Sequence, residues 1–335
     1  MNQRRHNRLF TVTLALLMLH ALGLASANQP FPLALHVGAA YPQVQIPVAD
    51  RVMFGAFTYG GVWQGLEPIA KLEDELGRQL DIVHWFTNFD NAYYPEMVAA
   101  VSTGGRLPLI SWQPHRHELR DIAGGVHDEY LRSWARGVRD SGVTVFLRPF
   151  PEMNGDWVSW NGDPEGLKAA WRHMAELFRA EGADNVRWVF SPNVSDQPAT
   201  EANRMEAYYP GSDVVDVLAL DGYNWGTARP WTTWRSFEEV FRHGYDRIIK
   251  LGAQPVWFAE MASSSDGGDK AAWVADMFAS TAFDRLAALV WFDENKETDW
   301  RIVADAEVAE AFKSALVRLP SRPEALFASA GSALR

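Results

Sequence analysis

The sequence predicts an α/β protein, a single (β/α)8 or TIM-barrel domain after a signal peptide, on three observations. Short β-branched or aromatic runs alternate with longer amphipathic patterns, the habit of a parallel sheet built from βα units. About eight such units fit between residues 50 and 318, which suits a closed barrel better than an open doubly wound sheet. No shift in composition, charge block or low-complexity insert interrupts that span, so no linker or appended module is expected.

The elements follow in order. Arg4, Arg5 and Arg8 precede an apolar stretch over 9–24 that ends at Ala25-Ser26-Ala27, a small-x-small cleavage signature. Residues 1–27 are therefore expected to be a secretory signal cleaved near Ala27, giving a secreted or periplasmic product. The stretch is broken by Thr11, Thr13 and His20 and is short for a membrane span of about 20 residues, so no integral membrane domain is expected after cleavage. The Arg4-Arg5 pair leaves the export route open. A lead-in segment occupies 28–49, and the predicted strands are 53–58, 82–87, 107–112, 143–150, 186–191, 214–220, 254–259 and 287–292. Helices are expected over 66–80, 165–180, 238–251 and 270–278. The second has Leu167, Ala170, Trp171, Met174, Leu177 and Phe178 at helical spacing. Asp163 caps it, Pro164 opens it and Gly182 ends it. The tail, 319–335, is rich in small residues and contains proline, so it is expected to fray.

Composition narrows the chemistry. Cysteine is absent, which excludes disulfides, thiolate-bound metal and a lipoprotein anchor. The net charge of −11 disfavours nucleic acid and anionic membrane as partners and points to a neutral or basic substrate. Fifteen tryptophans suit stacking on apolar faces such as sugar rings as well as filling a core; Trp134, Trp171, Trp188 and Trp273 sit at packing positions. His115 and His117 alternate by two with no further ligand nearby, a poor metal pair. Asp266-Gly-Gly-Asp269 is too short for a calcium loop and reads as a turn before a helix. No nucleophile elbow, phosphate loop or dinucleotide fingerprint occurs, so neither metal nor cofactor is expected.

In such a barrel the loops after the strands form the active face. The residues there include Tyr59-Gly60-Gly61, Asn88-Phe89-Asp90, Gln113-Pro114-His115, Pro192-Asn193, Asp221-Gly222-Tyr223-Asn224-Trp225 and Asp293-Glu294-Asn295-Lys296. Glu152 stands after the fourth strand in Arg148-Pro149-Phe150-Pro151-Glu152-Met153-Asn154-Gly155-Asp156-Trp157, and Glu260 ends the seventh. Two carboxylates on one barrel face meet the demand of glycoside hydrolysis. Each has a structural alternative: Glu152 as a loop carboxylate capping a turn, Glu260 as half of a salt bridge. Arg148 would be that bridge's partner and would lower the carboxylate's pKa.

The segment Arg-Pro-Phe-x-Glu-Met-Asn-Gly-x-Trp resembles glycoside hydrolase family 26. Asp221-Gly222-Tyr223-Asn224, Glu260, Val290-Trp291-Phe292 and Lys296-Glu297-Thr298-Asp299-Trp300-Arg301 are similar to further landmarks of that family, so the resemblance covers roughly 50–305. It implies an endo-acting, retaining hydrolase, most often of β-1,4-mannan, with Glu152 as acid/base and Glu260 as nucleophile. Arg148 would keep the nucleophile ionised, Tyr223 would orient it, and Asn154 would be a further residue supporting catalysis. Trp157 and Trp291 match family positions that floor sugar subsites; Trp112, Trp225, Trp160 and Trp300 are further platforms. Asp90, Asp156, Asp221, Asp293 and Glu294 rank as subsite ligands or solvated loop charges. The substrate partner is a polysaccharide or oligosaccharide, and the protein is expected to be a monomer.

One position departs from the pattern. The family usually has histidine before the acid/base glutamate, and here it is Pro151. Proline offers no side-chain donor, lacks the N–H and fixes φ. A β-1,3-1,4-glucan or another hexosan therefore stands beside mannan as substrate. A catalytically silent carbohydrate-binding or polysaccharide-export protein is the alternative class.

Overall fold

The structure, a computed structural model, describes residues 52–319. The expected signal and lead-in segment and, past Leu319, the expected tail over 319–335 lie outside the described residues. Eight parallel strands close a barrel in sequence order: β1 (Met53–Thr58), β2 (Ile82–Asn88), β3 (Leu107–Gln113), β4 (Val145–Pro149), β5 (Val186–Phe190), β6 (Val217–Asn224), β7 (Val256–Ser263) and β8 (Leu286–Asp293). Around it run α1 (Glu67–Leu76), α2 (Pro95–Ser102), α3 (Leu119–Ala123), α4 (Asp128–Ser141), α5 (Pro164–Ala180), α6 (Phe237–Ile248), α7 (Lys270–Ala279) and α8 (Ala306–Leu316). After β5 the crossover carries only two short 3-10 turns, Glu201–Asn203 and Met205–Tyr208.

Alternation along each strand divides the apolar residues into two layers. Met53, Ile82, Leu109, Phe146, Val189, Val217, Trp257 and Val290 form the inner cluster. Phe146 and Trp257 meet with ring centroids 4.6 Å apart, and Ala219, Ala259 and Ala288 in the same cluster leave room for them. The barrel interior is thus a packed plug below the strand ends. The outward residues, such as Ile110, Leu147, Leu218 and Phe258, join the helices in the larger core.

Local signals act as expected at α5. Asp163 accepts a hydrogen bond from the Gly166 N–H at 2.9 Å, Pro164 takes the first turn, and Gly182 adopts φ 75° just past the end. Strand ends differ more. β4 stops at Pro149 because Phe150 turns to φ 53°. β6 and β7 run past the expected 220 and 259 because they pair with each other as far as Asn224 and Ser263.

Phe258 stacks on Phe241 at 3.8 Å and meets Phe237 and Phe283 edge-on. Phe258→Ala is expected to cost about 3–5 kcal/mol, read from the shift in the denaturant midpoint; an unchanged midpoint would contradict the packing described.

Candidate active site

The inward face of the strands changes character at their C-terminal ends. One step above the apolar plug, the same parity presents His84 on β2, Ser111 on β3, Arg148 on β4 and Asp221 on β6. All four are buried. Arg148 is the centre: its Nη1 donates to Glu260 Oε2 at 2.8 Å, its Nη2 donates to Asp221 Oδ2, and Nη1 lies 3.4 Å from His84 Nε2. Ser191 Oγ donates to the other Asp221 oxygen at 2.7 Å, and His84 Nε2 lies 2.6 Å from Ser111 Oγ. Burial, then the Arg148 charge, holds the His84 pKa well below its usual value, so the imidazole is neutral. Burial pushes the Asp221 carboxyl up, with Arg148 pulling against it and Glu260 adding to the rise.

Glu260 reaches this cluster because of a bulge. Leu220 pairs with Phe258, but Asp221 pairs with Glu260, so Ala259 is the extra residue. Phe258 faces outward and Ala259 inward. Strict alternation would turn Glu260 away from the axis, and the bulge turns it back. Its second oxygen, Oε1, accepts from the Tyr223 hydroxyl at 2.7 Å. Burial and then the Glu260 charge raise the Tyr223 pKa well above normal, which keeps that phenol a donor.

Glu152 is held quite differently. It follows β4 on a loop in which Phe150 (φ 53°) and Glu152 (φ 54°) both take the left-handed region, uncommon for residues with a side chain. Five hydrogen bonds fix this strained turn. Phe150 N–H donates to the Trp112 carbonyl at 3.3 Å, and Glu152 N–H to that of Ser191 at 2.8 Å. Trp160 Nε1 donates to the Pro151 carbonyl at 2.8 Å. The buried Asn154 side chain donates to the Asn193 carbonyl at 2.9 Å and accepts from the Asn193 N–H at 2.8 Å. Asn154 thereby sets Asn193, whose Nδ2 donates to Glu152 Oε1 at 2.7 Å, while Trp157 Nε1 donates to Oε2 at 2.8 Å. Burial raises the Glu152 pKa, the Glu260 charge raises it further, and the Asn193 and Trp157 hydrogen bonds pull it back.

The two carboxyls sit where two lobes of one cleft join, because Glu152, Glu260, Trp157, Phe292 and Lys296 line both lobes. The first lobe continues past Phe57, Phe86, His115 and Glu294, the second past Trp225, Trp231 and Trp300. Trp157 is about half exposed, at 51 %, and Trp231 is 79 % exposed. Trp160 and Trp300 are almost covered yet contribute to the walls.

Two expected platforms are corrected. Trp112 shares the outward face of β3 with Ile110, stacks on Trp134 at 4.4 Å and donates to the Tyr130 hydroxyl at 3.1 Å. Trp291 likewise faces the helices, against Trp273 and Phe312, and donates to the Trp300 carbonyl at 2.8 Å. Phe292, one residue on, is the side chain that faces the cleft. Asp221 and Asp293 are corrected too: neither is a solvated loop acid. Asp221 pairs with Arg148, and Asp293 accepts from the Ile302 N–H at 2.7 Å, with burial pushing it up to about 6. Glu294 lines the first lobe, Asp156 is exposed, and Asp90 pairs with Arg116 at 2.7 Å and His117 at 3.3 Å. Asp269 caps α7, so the Asp266–Asp269 turn does lead into a helix. Trp134, Trp171, Trp188 and Trp273 are buried as expected. Sequence reasoning missed His84, Ser191 and Trp231 and placed Asn193 on the active face without giving it a role; inward parity on β2 was the available signal for the first.

Residues 121–290 match the family model described as glycosyl hydrolase family 26. Endoglucanase H of Acetivibrio thermocellus is 37 % identical over 279 residues, covering 78 % of this chain and 31 % of that protein. Mannan endo-1,4-beta-mannosidase A and B of Caldalkalibacillus mannanilyticus is 28 % identical, covering 51 % and 33 %. This chain therefore spans about a third of the length of these two relatives. Among solved structures, the modular endo-beta-1,4-mannanase of Cellulomonas fimi superposes with a TM-score of 0.62 at 17 % identity, over 79 % of this chain and 70 % of that one. The catalytic domain of the endo-beta-1,4-mannanase of Bacillus sp. JAMB-750 gives 0.60 at 18 %, over 83 % and 88 %. At these identities the superpositions speak to the fold.

Trp157→Phe removes a donor to the charged form of Glu152, so the carboxyl pKa is expected to rise further. A carbon-detected NMR titration of the glutamate carboxyls reads this, and a fall would contradict the contact. Trp112→Ala is expected to destabilise the fold by about 3–5 kcal/mol, measured by chemical denaturation.

Proposed function

This chain belongs to glycosyl hydrolase family 26, and from that premise we propose that it is an exported, retaining endo-β-glycanase. The observation that carries the reading is the contrast between two carboxyls at one junction. Glu260 is ion-paired to Arg148 and hydrogen-bonded by Tyr223, a setting suited to a nucleophile. Glu152 is raised by burial and by the Glu260 charge, and meets only neutral donors, a setting suited to an acid.

In the proposed reaction Glu260 attacks the anomeric carbon as the glycosidic C–O bond breaks, and Glu152 gives its proton to the leaving oxygen. In the second half Glu152 takes a proton from water, the water oxygen bonds to the same carbon, and the Glu260 ester is released. Two inversions return the β anomer. A cleft open on both sides of the acids supports attack within a chain, and the leader-like residues 1–27 support export.

Mannan is the backbone suggested by the relatives and solved structures named as mannanases. A β-glucan is the second reading, and two observations favour it. Pro151 lies in the wall of the first lobe where the family histidine would offer a donor, and the endoglucanase relative matches more of the chain at higher identity.

Galactomannan, glucomannan, mixed-linkage glucan, xylan and cellulose should be incubated with the protein, reading reducing ends and, by NMR, the first-formed anomer. New β reducing ends on a mannan or glucan are expected, with Glu152→Gln and Glu260→Gln each lowering kcat by at least about 100-fold. Binding without turnover on every glycan would sink the enzyme reading in favour of a carbohydrate-binding role. Because Glu152 must be protonated to act and its pKa is raised, the basic limb of the pH–rate profile should lie above the ordinary glutamate range of about 4.3. A limb at or below that range would contradict the assignment.

A further inference from the structure

The chain is acidic overall, at −11, and both proposed catalytic groups are acids, yet the second lobe of the cleft is lined by Arg229, Arg235 and Lys296. Their partners differ. Lys296 is ion-paired with Glu297 at 2.9 Å. Arg229 is held by carbonyls alone, donating to Ala228 O at 3.0 Å and Glu297 O at 3.1 Å, with its guanidinium over the Trp225 ring at 5.3 Å. Arg235 donates to the Glu239 carbonyl. Among the described residues neither guanidinium makes an ion pair with a carboxylate, whereas Arg172 and Arg247, elsewhere on the barrel, do.

A guanidinium fixed by two carbonyls and an indole face is pre-oriented, and it retains N–H donors for a planar, bidentate acceptor. The mostly exposed Trp231 lines the same lobe and offers a flat apolar face suited to stacking on a sugar ring. We infer that this lobe recognises a carboxylate on the glycan, so that the substrate class is an acid-bearing β-glycan, decorated with uronosyl or carboxylated acyl-type groups. This inference rests on the glycanase reading and sharpens it. It also reverses, for one lobe, the expectation that an acidic protein takes a neutral or basic substrate: Glu152, Glu260 and Glu297 line this lobe too, so the preference rests on the two guanidiniums that no carboxylate pairs and not on a net positive lobe. The competing account makes Arg229 only a pin between the β6–α6 loop and the β8–α8 loop.

The test compares a neutral β-glucan or mannan, the same polymer carboxymethylated, and a glucuronate-bearing β-1,4-linked polysaccharide. Wild type, Arg229→Gln and Arg229→Lys proteins are assayed for kcat/KM and, independently of turnover, for retardation in gels cast with each polymer. Wild type is expected to prefer an acid-bearing polymer to its neutral parent, with the preference shrinking as salt is raised. Arg229→Gln should lower the acidic-to-neutral ratio by about tenfold, and Arg229→Lys should restore it in part. Preference for the glucuronate polymer alone identifies a uronosyl ligand, and preference for both acidic polymers identifies any accessible carboxylate. The inference is overturned if wild type shows no preference, or if Arg229→Gln slows acidic and neutral polymers equally, as a pin would. Failure of the glycanase reading looks different: no polymer is cut, yet retardation by the acidic gels still responds to Arg229→Gln.

Discussion

The Arg148 guanidinium, fully buried and bonded to Asp221 and Glu260, is the constraint on which the site depends. A buried charge is tolerated only when paired and hydrogen-bonded, so Arg148 fixes where its acids must be. It ties β4 to β6 and β7 at the level where the apolar plug gives way to the cleft. Glu260 can answer because the Ala259 bulge turns it inward, and Asp221 because regular alternation already does. Removing the arginine would leave two acids facing each other, one of them wholly buried. Asp221 acts in this arrangement through Arg148, not through the cleft, since Ser191 and Arg148 occupy its oxygens.

Glu152 answers to other forces. Its turn places two side-chain-bearing residues at positive φ, a local cost that persists only where surrounding structure fixes the backbone. The Ser191 and Trp112 carbonyls, the Trp160 indole and the Asn154 side-chain amide supply that frame. Pro151, between the two strained residues, has no N–H to satisfy and a fixed φ, and its carbonyl meets the Trp160 indole. The residue that lines the cleft wall without a side-chain donor thus also stiffens the loop that carries Glu152. In the proposed reaction the two acids differ by surroundings alone: a guanidinium and a phenol around one, neutral donors and burial around the other.

Much of this was legible in the sequence, and the failures share a cause. The strand pattern and the capped α5 were readable from local spacing, and the segments bearing Arg148, Glu152, Tyr223 and Glu260 from their resemblance to glycoside hydrolase family 26. Position near a strand end, however, says nothing about which face a side chain takes. Trp112 and Trp291 were placed in the cleft by position, while the parity of Leu109 and Val290 puts both on the helix side. The same parity, counted from Ile82, would have brought His84 to the Arg148 cluster. Asn193 was placed on the active face by its position after the fifth strand but its contact with Glu152 was not readable, and Arg229 comes from a loop, where no period exists to reveal it. The ends of β6 and β7 were missed because their last residues are strand only through mutual pairing.

The central claim is a division of labour in which Glu260 bonds to the sugar and Glu152 moves the proton. Incubation with 2-deoxy-2-fluoro glycosyl fluorides of mannobiose and glucobiose, followed by proteolysis and mass spectrometry, tests it most directly. The account predicts a stable glycosyl ester on Glu260, with Glu152 and Asp221 unlabelled. An ester on either of those residues, or turnover of the fluoride to the inverted sugar with no label, would contradict it.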